Sequence, residues 1–323
     1  MTLWLSILAG LAMLAVGGDL LVRGASSAAR RLGVSPLLIG LTLVGFGTST
    51  PELVTSLQAA FAGSPGIAIG NVVGSNISNS LLILGLTALI APLAVNRRAF
   101  RRDAIALVLA TGALAWAILQ GRLTREMGYA GIGALAAYIF VVWLMERKKP
   151  DAEAERIEDQ ASEPSKGAPN LWIALPLAAA GIAITIYGAN LLVGGAIVLA
   201  RDLGVSDTLV GLTIVAIGTS LPELVTSGMA AARKQGDVAL GNVIGSNLYN
   251  ILGILGITAA IKPVDVPPEI ARLDIWVLVA ATLLMVLFAR RLGKITRAEG
   301  FLMATAYVAY VGWLAWSSGL SPG

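Results

Sequence analysis

Two glutamates stand where a carboxylate is costly. Glu52 lies in GTSTPELVTS at 47–56 and Glu223 in GTSLPELVTS at 218–227, each inside a long apolar run. An ionised side chain at mid-membrane costs roughly 2.5 to 3.5 kcal/mol on insertion scales, so each needs a compensating partner. No lysine or arginine lies within a helical turn of either. Oxygen surrounds them instead: Thr48, Ser49, Thr50, Thr55 and Ser56 in one stretch, Thr219, Ser220, Thr226 and Ser227 in the other. Pro51 and Pro222 withhold a backbone donor, at about 3 kcal/mol inside a helix, and free a carbonyl one turn upstream. Gly47 and Gly218 loosen the same turn. Carboxylate, hydroxyl and carbonyl oxygens are the hard ligands that calcium and sodium prefer. A proline kink with hydroxyls bonded back to their own helix accounts for the hydroxyls but leaves both glutamates without a partner. Cation binding is the chemistry expected here.

A second pair of stretches adds amides. GNVVGSNISN at 70–79 and GNVIGSNLYN at 241–250 place Ser75 and Asn79, and likewise Ser246 and Asn250, four residues apart on one helical face. For Asn71, Asn76, Asn242 and Asn247 a packing role is expected, and Gly70, Gly74, Gly241 and Gly245 permit close helix contact.

The elements that must position these groups follow from composition and repeat. The chain has 323 residues, 56% hydrophobic and 13% charged, with a mean hydropathy of +0.80, which is the composition of a polytopic membrane protein. With no histidine and no cysteine, it lacks disulfides, thiolate chemistry, the usual zinc sites and every histidine-dependent catalytic arrangement. No HExxH and no GxxxxGK[ST] phosphate loop is present, so a hydrolase is disfavoured and energy is expected from an ion gradient. No basic residue precedes the first apolar run at 3–22, which reads as a retained first helix and not a cleaved signal.

Shifting the chain by 171 residues aligns 33–57 with 204–228 at 17 of 25 positions and 68–90 with 239–261 at 15 of 23; Asp103 and Asp274 fall in the same register. Each copy divides into five apolar segments, at 3–22, 37–61, 68–90, 104–120 and 128–145, then 171–199, 208–231, 239–261, 274–289 and 300–317. The expected fold is all-α, with ten transmembrane helices in two five-helix repeats, 1–145 and 171–323. An odd number of helices per copy forces the second to enter from the opposite side, so the repeats are inverted.

With both termini outside, the inner loops collect 18 of the 23 lysines and arginines. The basic balance therefore records orientation, and neither nucleic acid nor a protein partner is expected beside the lipid bilayer. The connector at 146–170 mixes seven acidic and five basic residues with three prolines and reads as a solvated cytoplasmic linker. Asp19 stands one turn before Arg23, an expected structural ion pair that the second copy lacks, having Asn190 and Gly194 there.

The paired G-T-S-x-P-E and G-N-x-x-G-S-N motifs resemble those of the cation/calcium exchanger superfamily, and of its prokaryotic sodium/calcium exchangers in particular, over nearly the whole chain. The resemblance implies a diamond of ion sites at mid-membrane. It implies ligands from Glu52, Thr48, Ser49, Ser75 and Asn79 in one half and from Glu223, Thr219, Ser220, Ser246 and Asn250 in the other. Backbone carbonyl ligands at Gly45 and Ala216, sliding of the first and sixth helices to alternate access, and a plasma (inner) membrane location are implied likewise. Some sodium/calcium exchangers carry an aspartate at one of the positions held here by Asn79 and Asn250, so the fixed charge of this cage is two and not three. Two carboxylates balance one calcium or two sodium ions, an arithmetic that permits three sodium for one calcium. The proton-coupled branch places an acid shortly after its G-N pair, and GNVVGSN and GNVIGSN have none. The expectation is a Ca2+/Na+ antiporter that needs no cofactor, Ca2+ and Na+ being its cargo. A Ca2+/H+ antiporter is the nearest alternative and a cation channel a distant one.

Overall fold

The computed structural model describes residues 3–32, 40–61, 63, 65–146, 170–202 and 216–317. Ten helical segments run through the described residues. The first repeat holds α1 (Leu3–Leu32); α2, in the pieces Gly40–Val44, Gly45–Thr48 and Thr50–Phe61; α3 (Pro65–Ile90); α4 (Arg97–Leu119); and α5 (Arg125–Glu146). The second holds α6 (Leu171–Asp202); α7, in the pieces Ala216–Thr219 and Leu221–Ala232; α8 (Gly236–Ile261); α9 (Ile270–Leu292); and α10 (Arg297–Ser317). Among the described residues seven helices are long and apolar enough to cross a membrane; α2 and α7 are broken at Ser49 and Ser220, and α10 runs 21 residues. The connector at 146–170 lies, apart from its first and last residues, outside the described residues, as do the expected starts of the second and seventh helices at 37 and 208.

Several helices outrun their apolar segments. α1 continues through Arg23 to Leu32 where hydropathy marks an end at 22, and α9 covers 270–292 where it marks 274–289. Hydropathy registers the part in hydrocarbon, whereas the backbone ladder continues wherever each N–H still finds the carbonyl a turn earlier. The ends themselves obey local chemistry. Thr296 and Glu299 form a reciprocal capping box at the start of α10, with Thr296 N donating to Glu299 Oε2 at 2.8 Å and Glu299 N to Thr296 Oγ1 at 3.3 Å. Gly121 and Gly293 end α4 and α9 at φ of 79° and 64°, a backbone that glycine adopts without strain.

Short strands tie the loops together and test the topology. β1 (Leu93–Ala94), after α3, pairs antiparallel with β4 (Lys294–Ile295), after α9; β2 (Arg122–Leu123), after α4, pairs with β3 (Val264–Asp265), after α8. The third loop thus meets the ninth and the fourth meets the eighth. Lys262 in the eighth loop reaches the Phe61 carbonyl at the second, and Gln235 in the seventh accepts from Ser26 near the end of α1. Each of these links joins loops of like parity, as ten successive crossings require. β1 and β3 occupy equivalent places in the two copies yet lie in sheets from loops of opposite parity, so the copies are inverted.

The centre of the molecule is α3 and α8, whose spans are 72% and 78% buried, against 11% for α5. α1 and α6 pack along each other through small residues; a Cβ at Gly181 would meet the Leu21 backbone. Asp19 pairs with Arg23 at 2.7 Å as expected, and also with Arg233 beyond α7, which spacing gave no hint of. Asp103 and Asp274, in register between the copies, each accept a tyrosine hydroxyl, from Tyr138 at 2.9 Å and Tyr310 at 2.7 Å. Asp103 is also held by Arg102 at 2.6 Å, and Leu273 takes the matching place before Asp274.

Candidate cation site

The breaks in α2 and α7 are alike. Ser49 adopts φ −84°, ψ 9° and Ser220 φ −88°, ψ 6°, after which Pro51 and Pro222 sit in the first turn of a new helical piece. The prolines therefore start a helix and do not kink one, since the donor they lack has no intrahelical partner in a first turn. Glu52 and Glu223 follow in those first turns, where helix N-termini favour negative charge. The short piece of α2 rests on α8 and that of α7 on α3, so each break is packed against the other repeat.

The crossing continues at the side chains. Ser49 donates to Glu223 Oε1 at 2.8 Å, and Ser220 donates to Glu52 Oε1 at 3.1 Å, so each repeat's serine holds the other's carboxylate. Ser246 adds a second bond to Glu223 Oε1 at 3.3 Å and also lies 3.4 Å from the Gly45 carbonyl. Glu52, Glu223, Thr48, Ser49, Ser75, Asn79, Ser246 and Asn250 are fully buried and Ser220 nearly so; Thr219 is partly buried. The described part of α7 begins at Ala216, which places its backbone one turn before Thr219.

Each glutamate spends one oxygen on these serines. The other, Oε2 in both, has no hydrogen-bond partner, and the same holds for Ser75 Oγ, Asn79 Oδ1 and both amide atoms of Asn250. Buried polar atoms are almost always satisfied, and an unpaired buried group costs about 1–3 kcal/mol, more when it is charged. Ten side-chain oxygens are in this state among the described residues, Asn76, Ser78, Thr87, Thr226 and Thr258 supplying the other five; those of Glu52, Glu223, Ser75, Asn79 and Asn250 come from α2, α3, α7 and α8 and are of the kind hard cations take. Among the described residues no group of three or more acidic, histidine or cysteine side chains occurs, so the charge of the set is that of its two glutamates.

The asparagines expected to serve packing do more than that. Asn71 donates to the Glu52 backbone carbonyl at 3.1 Å and to Ser56 Oγ at 2.9 Å, and it accepts from Thr219 across the repeat boundary at 3.4 Å. Asn242 mirrors it, donating to the Glu223 carbonyl at 3.3 Å and Ser227 at 2.9 Å and lying 3.3 Å from Thr48 Oγ1. These two residues fasten each glutamate's turn to its own third helix and to the other repeat's threonine. The signal that sequence offered was the amide itself, whose two donors and two lone pairs cannot be satisfied inside one buried helix. Thr50, with Leu221 opposite it in the other copy, bonds back to Phe46 O at 3.4 Å and stays outside the set.

Both α3 and α8 widen at their amides. A π-helical stretch covers Asn79–Ile83 in one and Tyr249–Ile254 in the other, the kind of irregularity that gathers at functional sites.

Comparison with known proteins agrees with this architecture. The model of the family described as sodium/calcium exchanger protein matches residues 2–145 and 173–316, one block per repeat. The chain is 40% identical to the putative antiporter CaxA of Alkalimonas amylolytica, over 94% of this chain and 96% of that one. It is 34% identical to the sodium/calcium exchanger MaX1 of Methanosarcina acetivorans, over 95% and 97%. A solved structure of the sodium-calcium exchanger NCX_Mj, soaked with 10 mM Na+ and zero Ca2+, superposes with a TM-score of 0.81 at 33% identity, covering 96% of this chain and 99% of that one. With both repeats matched and relatives aligned from end to end, the chain belongs to the sodium/calcium exchanger protein family.

Proposed function

We propose that this integral membrane protein is a secondary antiporter that exchanges calcium for sodium by alternating access. The observation that carries this reading is the pair of buried carboxylate oxygens without a protein partner, one from each inverted repeat, on helices that also carry the unpartnered oxygens of Ser75, Asn79 and Asn250. Glu52 and Glu223 supply the charge; Ser75, Asn79 and Asn250 supply neutral oxygens; Thr48, Ser49, Thr219, Ser220, Ser246 and the carbonyls of Gly45 and Ala216 complete the shell. The names of the relatives MaX1 and NCX_Mj support sodium as the counter-ion.

Exchange, as opposed to leak, follows from charge. Two ionised carboxylates closed off from water without a cation would each carry a penalty of roughly 2.5 to 3.5 kcal/mol. The empty carrier is therefore poor at reorienting, whereas a cage holding one calcium, or sodium in its place, is neutralised and can turn. Calcium and sodium compete for the same oxygens, so one must leave before the other enters. A third sodium would give the loaded cage a net positive charge and make exchange electrogenic. The close packing of α1 against α6 through small residues suits a pair of helices that slide past the rest. The distribution of basic residues supports both termini outside and the 146–170 linker in the cytoplasm; residence in a prokaryotic plasma (inner) membrane is what the resemblance to prokaryotic exchangers implies.

Vesicles containing the purified chain test the reading. Labelled calcium should accumulate when sodium is concentrated inside and pH is equal on both sides. Accumulation driven by a proton gradient alone, with none driven by sodium, would replace it with the calcium/proton alternative.

A further inference from the structure

Asn79 and Asn250 occupy matching positions, yet their surroundings differ. Asn79 Nδ2 donates to Asn247 Oδ1 at 3.1 Å, and Asn247 Nδ2 donates in turn to Ser80 Oγ at 2.9 Å. The chain of bonds leaves the first repeat, passes through the second and returns, and all three residues are fully buried. Its effect on Asn79 is directional: with the amide nitrogen engaged, the carbonyl oxygen is the atom left without a partner. Around Asn250 the corresponding chain is missing. Asn76, the counterpart of Asn247, donates to Val72 O of its own helix at 2.7 Å. Ile251 stands in the place of Ser80, and neither amide atom of Asn250 is bonded.

We propose that Asn247 and Ser80 are positioning residues that fix the Asn79 carbonyl as an ion ligand, while Asn250 is left free to turn. The cage then has one preset amide corner and one adaptable corner, although the sequence shows asparagine at both. A preset carbonyl favours an ion of one size and distance; an adaptable one lets the same cage close on the other cargo ion, with different charge and coordination number. The inference rests on the ion-cage reading above and adds to it a role for two residues outside the ligand set.

Equilibrium binding of labelled calcium to the purified full-length chain, with exchange in vesicles measured in parallel, tests it. Asn247→Ala should raise the calcium concentration for half-saturation by about tenfold, as loss of a residue orienting a metal ligand does. The maximal exchange rate should stay within about twofold, because the charge of the cage is untouched. Ser80→Ala should give a smaller rise in the same direction, and Asn76→Ala no rise. Combined with Asn79→Ala, which removes the ligand itself, Asn247→Ala should add nothing, whereas two merely structural losses would add. Unchanged half-saturation in Asn247→Ala, an equal loss in Asn76→Ala, or additivity in the double variant would each overturn the inference while leaving the exchanger reading intact. A wild type that binds neither calcium nor sodium would overturn both.

Discussion

The two halves of the cage agree at their carboxylates and differ at their amides. Around Glu52 and Glu223 three bonds match: a serine from the other repeat on Oε1, an asparagine amide on the backbone carbonyl, a serine one turn on that shares that asparagine; only Ser246, which adds a bond to Glu223 where Ser75 adds none to Glu52, departs from the pattern. Around Asn79 and Asn250 they fail, as only the first has an anchor. Charge inside a membrane leaves little freedom, since a carboxylate without its braces would swing away from the ion or take up a proton. A neutral amide can lose its orientation at smaller cost. On the proposed reading, duplication preserved the part that would neutralise the cargo and let the part that would tune it diverge.

The largest test of that comparison is at the glutamates. Glu52→Gln and Glu223→Gln should each reduce calcium exchange by at least about 100-fold in vesicles, since each removes half of the neutralising charge. Both variants should still insert in the membrane; retained exchange in one would break the equivalence of the halves.

Next comes stability, where the halves should part. Asp103→Ala removes an acceptor shared by the Arg102 guanidinium and the Tyr138 hydroxyl and should cost about 3 kcal/mol in detergent unfolding. Asp274→Ala loses one bond from Tyr310 and should cost about 1 kcal/mol. Equal losses would contradict the asymmetry.

The braces should then fall together again. Asn71→Ala and Asn242→Ala should each weaken calcium binding by about tenfold, the usual effect of removing a group that holds a ligand in place. A tenfold effect in only one would show that the mirrored bonds are not mirrored in function. The smallest effect is expected at Thr50→Leu, which copies Leu221 of the other repeat. Its hydroxyl serves its own helix, so half-saturation should move by less than about twofold.

What the sequence revealed follows the same line of cost. Glu52 and Glu223 were legible because charge in an apolar segment has few bland explanations, and the fixed offset between the copies made inversion and helix number follow from counting. The break at Ser49 and Ser220 was legible from Pro51 and Pro222, though as a broken turn inside a helix and not as the start of a new one. Partners across the repeat boundary were not legible. Nothing in either copy says that Ser49 serves Glu223 and not Glu52, because the crossing arises from how α2 packs on α8 and α7 on α3. The roles of Asn71 and Asn242 were hidden for the same reason, since spacing along one helix cannot name a bond to another. Arg233 joined Asp19 across more than 200 residues, beyond any local pattern.

The claim that one cage built from both repeats serves two ions in turn is tested most directly by competition at equilibrium. Labelled calcium bound to the purified chain should be displaced by sodium with a steepness above that of a single ion, and either Glu52→Gln or Glu223→Gln alone should abolish the calcium signal. Calcium binding indifferent to sodium, or binding that survives the loss of one glutamate, would contradict the account.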